Sequence, residues 1–462
     1  YRYIHSLWTM IENRRTTVNG RIIVGGKGRK HPKEADVFLH IAMKVAKNCR
    51  YVEPQFTLRF DKETSEEIWD EALDALGAGA TYPTLYNDDV NVPAVMYGMR
   101  VDEKTAEQYV PFGCTEFVIQ GQSTGTPNIC INLLKLLTIY MNDGIDPIDG
   151  KRKSGPVPLK KLEEYQTFEE FYDGYKALLD YYLDLSVKAQ YHSYEVMNQH
   201  VSFLFTSLLT DDCIARGKAL LDGGVRYLGG TNETYGNINT SDSLWVIRDL
   251  VFNQKKYTLR QLNDAMLANF NGYEALRKDC LNCDKYGNDL ETADTMANDL
   301  YEFVAKGVRN RGIAIGMQYF LIVISNNQLN TEWGNRTAAS PDGRLSCMYM
   351  NPANNPQGGA NKSGPTAMLN SLAKFDAKYH GGSVQNIKFS PSMFNENRAV
   401  IKSLFKTYFA KGGCHLMVTV VDKGVLEDAV EHPENYPDLI VRVSGFSAVF
   451  LSLIHISEPT RL

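Results

Sequence analysis

The sequence lacks the features that mark membrane-spanning, exported and nucleic-acid-binding proteins. No stretch of its 462 residues reaches the roughly 20 consecutive apolar positions that a membrane-spanning helix needs. The formal net charge is only −5, with both signs interspersed, which predicts no binding to nucleic acid or an anionic membrane. No charged and then apolar leader opens the chain, and the eight cysteines follow no repeating pattern. We therefore expect a cytoplasmic protein.

Metal-binding motifs are scarce as well. The nine histidines form no His-Glu-x-x-His or His-x-His pattern, so neither a metal site nor a bound cofactor is predicted. Cys280 and Cys283 have the two-residue gap of a metal or redox pair, but no second pair follows them. A structural or incidental role for these two cysteines is favoured over zinc binding or a disulfide.

What is present is an alternation of short strands with helices of 10–20 residues, which predicts an α/β architecture. No internal repeat of fixed period interrupts it. The periodicity predicts strands over residues 56–60 and 415–421, an acidic turn at 87–89, and helices over 34–47, 65–76, 102–109, 128–141, 167–185, 190–209, 243–252, 259–269, 292–308 and 398–409.

A glycine near the end of the chain lies in Arg442-Val443-Ser444-Gly445-Phe446-Ser447-Ala448, directly after an apolar strand. Such a glycine is ordinarily a turn residue that tolerates positive φ. Its α-carbon can also lose a hydrogen atom, and the flanking amides then delocalise the radical. Both interpretations of Gly445 are open from this segment alone.

A second segment favours the radical interpretation. Gly113-Cys114-Thr115-Glu116 lies 331 residues earlier, counted from Cys114 to Gly445, and places a cysteine two residues before a carboxylate. Residues two apart on an extended loop point to the same side, so Glu116 is expected beside the Cys114 sulfur. A buried carboxylate in that position can act as a general base.

Together these segments resemble the glycyl radical enzymes, the family that includes pyruvate formate-lyase and the glycyl radical diol, choline and hydroxyproline lyases. The resemblance covers nearly the whole chain. It extends through PQFTLRF (residues 54–60), LYNDD (85–89), DCIARG (212–217), NKSGPTA (361–367) and HPENY (432–436).

The resemblance implies a ten-stranded α/β barrel of two antiparallel half-barrels, in which the cysteine loop and the glycine loop meet. It also implies a division into a barrel region (residues 1–340) and a glycine radical domain (341–451). The chain opens without methionine and matches the C-terminal portion of the family, so the barrel is expected to be incomplete at its N-terminus. Residues 452–462 depart from the family pattern and are interpreted as a non-native tail.

The chemistry implied by the resemblance uses three residues. Gly445 stores the radical, Cys114 carries a thiyl radical that abstracts hydrogen from the substrate, and Glu116 is the base of the lyases and dehydratases. Pyruvate formate-lyase instead has two adjacent cysteines, whereas the neighbours of Cys114 are Gly113 and Thr115. Radical elimination from a small hydroxylated substrate is therefore favoured, and formate C-acetyltransferase activity is the alternative.

Substrate choice is less well defined. Diol-dehydrating members have an aspartate, which holds a substrate hydroxyl, at the position of Asn128, and Phe117 replaces their usual proline. Asn128 is accordingly predicted to bind substrate, with a different or less polar leaving group. Arg442 is open to two interpretations, a substrate-carboxylate contact or a structural ion pair.

The implied partner is an activating enzyme that uses S-adenosylmethionine and an iron–sulfur cluster to take the hydrogen from Gly445. The chain itself needs no further cofactor. We also expect a homodimer. An inactive fragment, or a spare radical domain that docks onto another subunit, is the remaining hypothesis, although a spare domain would not need Cys114 and Glu116.

Overall fold

The computed structural model describes six stretches of the chain: residues 1–14, 21–125, 128–325, 328–437, 439–442 and 447–450. The described residues fall into two compact units. The first draws on Tyr1–Met96, Val101–Phe117 and Val384–Leu462, and the second on Tyr97–Arg100 and Val118–Ser383. The division predicted between residues 340 and 341 stays a prediction.

The strands in chain order are β1 Arg21–Gly25, β2 Gln55–Phe60, β3 Thr84–Asn87, β4 Tyr109–Phe112, β5 Glu116–Ile119, β6 Ile129–Asn132, β7 Gly229–Tyr235, β8 Tyr319–Ile324, β9 His380–Ser383, β10 Asn386–Phe389, β11 His415–Val420, β12 Ile440–Arg442 and β13 Ser447–Val449.

The α-helices are α1 Arg2–Arg14, α2 Pro32–Cys49, α3 Glu66–Gly77, α4 Asp88–Met99, α5 Glu103–Ala106, α6 Leu133–Met141, α7 Phe168–His200, α8 Leu204–Leu208, α9 Cys213–Arg216, α10 Asn237–Val246, α11 Leu259–Leu267, α12 Glu274–Asn282, α13 Glu291–Ala314, α14 Leu329–Gly334, α15 Gly364–Leu372, α16 Pro391–Glu396, α17 Arg398–Ala410 and α18 Lys423–Glu431. Among the described residues, no helix combines the length and apolar character required to cross a bilayer.

The first unit is built on a five-stranded sheet of order β1-β2-β3-β11-β10. Strands β1, β2 and β3 are parallel, β11 runs antiparallel to β3, and β10 is parallel to β11. Helices α2 and α3 pack against each other beside it. Helix α3 begins where Ser65 accepts a hydrogen bond from the backbone of Ile68, as its sequence predicts.

The second unit contains a parallel four-stranded sheet of order β6-β7-β8-β9. Helices α7 and α13 pack on this sheet and on each other, and α10 packs on α13. Strand β8 is buried throughout, as expected for a parallel strand covered on both faces. The α/β class is therefore confirmed, and within the described residues the strands form separate sheets rather than one closed ten-stranded barrel.

Three local predictions were wrong. Residues 128–141 form strand β6 and then helix α6, because Ile129–Asn132 pairs with β7. Residues 167–185 and 190–209 belong largely to one 33-residue helix, Phe168–His200. The acidic turn at 87–89 is instead the start of helix α4, whose first turn carries Asp88 and Asp89.

Candidate active site

Cys114 lies in the short connection of a hairpin between β4 and β5. Gly113 and Thr115 on either side of it both have positive φ, at 51° and 81°. The connection is thus a tight turn rather than the extended loop expected from the sequence, so side-chain alternation does not govern it. A β-branched residue such as Thr115 is rare in this conformation, at a cost on the order of 1–3 kcal/mol.

Glu116 turns back over this connection. Its side chain is only 4% exposed, and a Cβ added to Gly113 would lie 2.7 Å from its Oε2 atom. Glycine at 113 therefore satisfies both the positive φ and the close approach of the carboxylate. Cys114 itself is half-buried. The structure thus brings Cys114 and a buried carboxylate together in one turn.

Arg21 holds the same turn from the neighbouring strand β1. Its Nη2 atom donates to the backbone oxygen of Gly113 at 3.0 Å and to Oε1 of Gln55 at 2.6 Å. Its Nη1 atom donates to the hydroxyl of Tyr86 at 3.2 Å. One guanidinium therefore connects the residue before Cys114 to the next two strands of the sheet.

A buried ion pair supports the other end of β4. Arg59 donates to both carboxylate oxygens of Asp88, at 2.9 and 2.7 Å, and to the backbone oxygen of Tyr109 at 2.9 Å. The Tyr109 hydroxyl donates to Asp88 at 2.8 Å, and the guanidinium lies 4.0 Å from the centre of the Tyr109 ring. Burial opposes the charge of Arg59, but Tyr109 and Asp88 outweigh it and raise the pKa of Arg59.

Asn128 belongs to the second unit and precedes β6. Its Nδ2 atom donates to Oε1 of Glu233 at 2.7 Å, and its Oδ1 atom accepts from the hydroxyl of Thr231 at 2.6 Å. The thiol of Cys130 lies 3.9 Å from the other Glu233 oxygen, to which the Tyr235 hydroxyl also donates. Asn128 is therefore one member of a polar group on the strands of this unit.

Gly445 lies outside the described residues. The strands on either side of it pair antiparallel, and Arg442 and Ser447 are partners in that register. The strand predicted at its N-terminal side is confirmed as β12, whereas β13 was missed. The side chain of Arg442 also lies outside the described part, so its two interpretations stay open. Cys114 lies in the first unit.

The thiols of Cys280 and Cys283 stay protonated at neutral pH. Burial raises the pKa of Cys280 to about 12 and that of Cys283 to about 11, and no disulfide joins them. This agrees with a structural role.

His40, Glu67 and Glu71 on α2 and α3 place possible ligand atoms within 4.8 Å of one another, although exposed acidic groups commonly meet without an ion.

Sequence reasoning missed Arg21, Asp88 and Glu233. Asp88 and Arg59 lie in the segments LYNDD and PQFTLRF, on which the family resemblance rests. The resemblance could therefore have identified these two residues. Arg21 and Glu233 lie outside the segments on which the family resemblance rests. Their hydrogen-bond partners become apparent only when strands that are distant in sequence pair in the fold.

The α/β fold and the hairpin that carries Cys114 agree with the pyruvate formate lyase-like type of enzyme that the sequence resemblance implies. The family model "Pyruvate formate lyase-like" matches residues 3–329, and the model "Glycine radical" matches residues 350–451. The chain therefore belongs to the glycyl radical enzyme family, and its glycine radical domain supports a glycyl radical.

Known members similar to this chain are dehydratases and decarboxylases. Trans-4-hydroxy-L-proline dehydratase of Clostridioides difficile is 30% identical over 417 residues, which are 90% of this chain and 52% of that protein. The 4-hydroxyphenylacetate decarboxylase glycyl radical subunit of Clostridioides difficile (strain CD196) is 26% identical over 482 residues, covering 93% of this chain and 52% of the relative.

Solved structures agree with this assignment. The glycerol-bound B12-independent glycerol dehydratase from Clostridium butyricum superposes with a TM-score of 0.86 at 29% identity, covering 94% of this chain and 55% of that one. The chain thus spans about half the length of the relatives it matches. The relatives support radical elimination on small substrates as the chemistry of this group.

Proposed function

We propose that this protein is a glycyl radical dehydratase or lyase acting on a small hydroxylated substrate. In this proposal Gly445 stores the radical, Cys114 transfers hydrogen atoms and Glu116 is the base. The observation that carries it is the turn at residues 113–116, which places a buried carboxylate two residues from a half-buried cysteine.

The reaction begins and ends with hydrogen-atom transfer. The Gly445 radical takes the hydrogen of the Cys114 thiol, which leaves a thiyl radical on sulfur. The thiyl radical then takes a hydrogen atom from the substrate carbon that bears a hydroxyl, so the sulfur becomes S–H again and the carbon becomes the radical. At the end of turnover the product radical recovers that hydrogen from Cys114. These exchanges need contact distances and exclusion of water.

Elimination combines proton transfer with cleavage of the bond between carbon and the leaving group. Glu116 accepts the proton of the hydroxyl on the radical carbon, which makes that carbon electron-rich enough to break the bond to the leaving group on the neighbouring carbon. For a diol, the departing hydroxyl takes the proton back from Glu116 and leaves as water. The net change is loss of water and formation of a carbonyl, without an external oxidant. Burial of Glu116 suits it to this exchange.

Formate C-acetyltransferase activity is less well supported. That reaction uses one cysteine to hold an acyl group and an adjacent one to carry the radical, whereas Cys114 is flanked by Gly113 and Thr115. Radical decarboxylation, the activity in the name of one relative, is a further outcome that product analysis would reveal.

The proposal includes a partner. A glycyl radical must be generated by an enzyme that can remove a hydrogen atom from the backbone, and we infer an activating enzyme with S-adenosylmethionine and an iron–sulfur cluster. The redox chemistry belongs to that partner. A homodimer stays a prediction.

Product analysis tests the function. The protein is activated anaerobically by such an enzyme and incubated with glycerol and 1,2-propanediol, whose adjacent hydroxyls fit these steps. It is also incubated with trans-4-hydroxy-L-proline, whose single hydroxyl would instead have to leave from the carbon next to the radical. We expect loss of water from at least one of them, with Glu116→Gln stalling elimination while its glycyl radical signal persists. Normal turnover by Glu116→Gln would refute the base role, and formate with acetyl-coenzyme A from pyruvate would favour acyl transfer.

A further inference from the structure

One face of the β6–β7 pair in the second unit carries a polar group that we call the strand-face cluster: Asn128, Cys130, Thr231, Glu233 and Tyr235. Cys130 and Glu233 are direct neighbours in the parallel register. The opposite face packs on helix α7, where the amide of Asn232 donates to the hydroxyl of Ser186 at 2.7 Å. Because side chains alternate along a strand, Glu233 points away from α7.

Hydrogen bonds in the strand-face cluster converge on Glu233. Asn128 donates to one carboxylate oxygen at 2.7 Å, while Tyr235 and Cys130 approach the other. An ionised carboxylate can only accept, so it turns the nitrogen of the Asn128 amide toward itself and leaves the amide oxygen toward Thr231. Glu233 therefore fixes the orientation of the residue predicted to bind substrate.

We propose that Glu233 is a specificity-determining residue, and that together with Asn128 it binds a hydroxyl or ammonium group of the substrate. The inference rests on the proposed function and on the prediction from the sequence that Asn128 binds substrate. A neutral amide alone does not distinguish donor from acceptor groups, since it offers both. The carboxylate adds an acceptor and a negative charge, and hydrogen bonds to a charged acceptor are roughly twice as strong as neutral ones.

The exposure of the strand-face cluster agrees with this role. Asn128, Cys130 and Glu233 are half-buried, so a small molecule can reach them, while Thr231 and Tyr235 behind them are buried at 3% and 1% exposure. The Glu233 carboxylate is thus accessible to a ligand. The buried side chains of Thr231 and Tyr235 keep it and Asn128 in position.

Cys130 offers a test that does not require the radical. Burial, and in second place the charge of Glu233, raise the pKa of the Cys130 thiol to about 12. Cys130 is half-buried and is one of the residues that line a cavity of about 310 Å³, so a small reagent can approach it. Glu233→Gln should accelerate alkylation of Cys130 by iodoacetamide at pH 9 about threefold or more, because the thiolate fraction rises about tenfold per unit of pKa.

Alkylation is followed by peptide mass mapping of the unactivated protein. Glu302→Gln, on α13 of the same unit and paired with Lys306 at the surface, is the matched control and should leave the rate unchanged. An unchanged rate in Glu233→Gln would show that Glu233 does not place a negative charge beside Cys130, and would overturn the inference.

Kinetics of the activated enzyme test substrate selection with glycerol, 1,2-propanediol and trans-4-hydroxy-L-proline as probes. For the probe that is turned over, Glu233→Gln should raise KM about tenfold, as expected for a lost hydrogen bond to a charged group, with kcat within about threefold. The double variant Asn128→Asp with Glu233→Gln moves the carboxylate to the partner position and should recover most of the KM.

The outcomes separate the two proposals. An unchanged KM in Glu233→Gln, with the wild type active, overturns the inference while leaving the proposed function intact. A KM that stays high in the double variant would show that charge at this position is not what matters, which also overturns it. A wild type that turns over none of the probes refutes the proposed function on hydroxylated substrates, and the substrate assignment of Glu233 with it.

Discussion

Two buried carboxylates, one in each compact unit, lie in opposite electrostatic environments. In the first unit Asp88 is fully buried, and both of its oxygens receive the guanidinium of Arg59 while Tyr109 donates to one of them. In the second unit Asp242 is 1% exposed, and its Oδ1 atom accepts from the backbone of Tyr286. Burial raises the pKa of Asp242 to about 7, against the attraction of a nearby lysine.

Asp88 is held in a fixed ion pair, whereas Asp242 can gain or lose a proton as the pH changes. Asp88 is part of a bidentate ion pair that also holds the backbone of β4, the strand leading to Cys114. Asp242 changes its protonation within the pH range in which proteins are studied. We therefore expect turnover to depend on the geometry of the cysteine turn. We expect the stability of the second unit to depend on pH.

The largest effect is expected at the cysteine turn itself. Cys114→Ser removes the only atom there that can carry a thiyl radical, so turnover should fall by roughly 10⁴-fold or more. The glycyl radical signal after activation should remain, because Gly445 is unchanged. Cys347→Ser, at an exposed cysteine, is the control and should be fully active. Activity in Cys114→Ser would remove the hairpin from the mechanism.

The ion pair beneath the turn should give the next largest effect. Asp88→Asn leaves the Arg59 charge buried without its counter-ion, which should lower the free energy of unfolding by about 3–5 kcal/mol. Glu427→Gln breaks the exposed pair with Lys423 in the same unit and should cost no more than about 0.5 kcal/mol. Urea unfolding measures both. Equal effects would show that the buried pair is not the scaffold described above.

Gly113→Ala should be milder and should affect rate more than stability. The added methyl group would meet the Glu116 carboxylate at 2.7 Å, which displaces the group that we propose as the base. A displacement of that kind can cost about 10²-fold in turnover. Gly79→Ala is matched in unit and in positive φ, but its nearest atom lies at 3.8 Å. Equal losses in the two variants would mean that backbone strain, and not the carboxylate contact, is responsible.

Asp242 should give the smallest effect, visible only as a pH dependence. Its pKa of about 7 in the folded state lies above the value of about 3.9 in an unfolded chain. The folded state therefore binds the extra proton between these values, so stability falls as pH rises from about 4 to about 7 and levels off above that. Asp242→Asn should remove about 2 kcal/mol of this decline between pH 5 and 7.5.

Unfolding in urea at these two pH values checks the Asp242 prediction. Asp173→Asn, whose side chain is 77% exposed, should keep the pH dependence of the wild type. Parallel loss of stability in the wild type and in Asp242→Asn would show that Asp242 does not carry the proton.

Local pattern was sufficient to predict much of the architecture, and the family resemblance was sufficient to single out Cys114 and Glu116 as candidates. Helix α3 was predicted from the capping residue Ser65 and the acidic first turn, and strand β11 from its alternation. Strand β6 was missed because its pairing partner β7 begins about a hundred residues later. Its apolar residues, read without that partner, are indistinguishable from the first turn of helix α6.

The side chains that support the candidate site could not be predicted either, because their partners are also distant in sequence. Arg59 and Asp88 lie 29 positions apart, and Asn128 and Glu233 lie 105 apart, so no local periodicity relates them. The turn at Cys114 was predicted as extended because positive φ at Thr115 runs against the preference of a β-branched residue. Strain of this kind becomes visible only with the surrounding structure that imposes it.

The central claim is that hydrogen atoms pass between the Cys114 sulfur and the Gly445 α-carbon. Electron paramagnetic resonance of the activated protein in H₂O and D₂O tests it, since the thiol exchanges with solvent and would deliver deuterium to the glycyl radical. The account predicts that the α-hydrogen doublet of the wild type collapses to a singlet in D₂O, whereas that of Cys114→Ser persists. A doublet that survives in the wild type, or that collapses equally in Cys114→Ser, would contradict it.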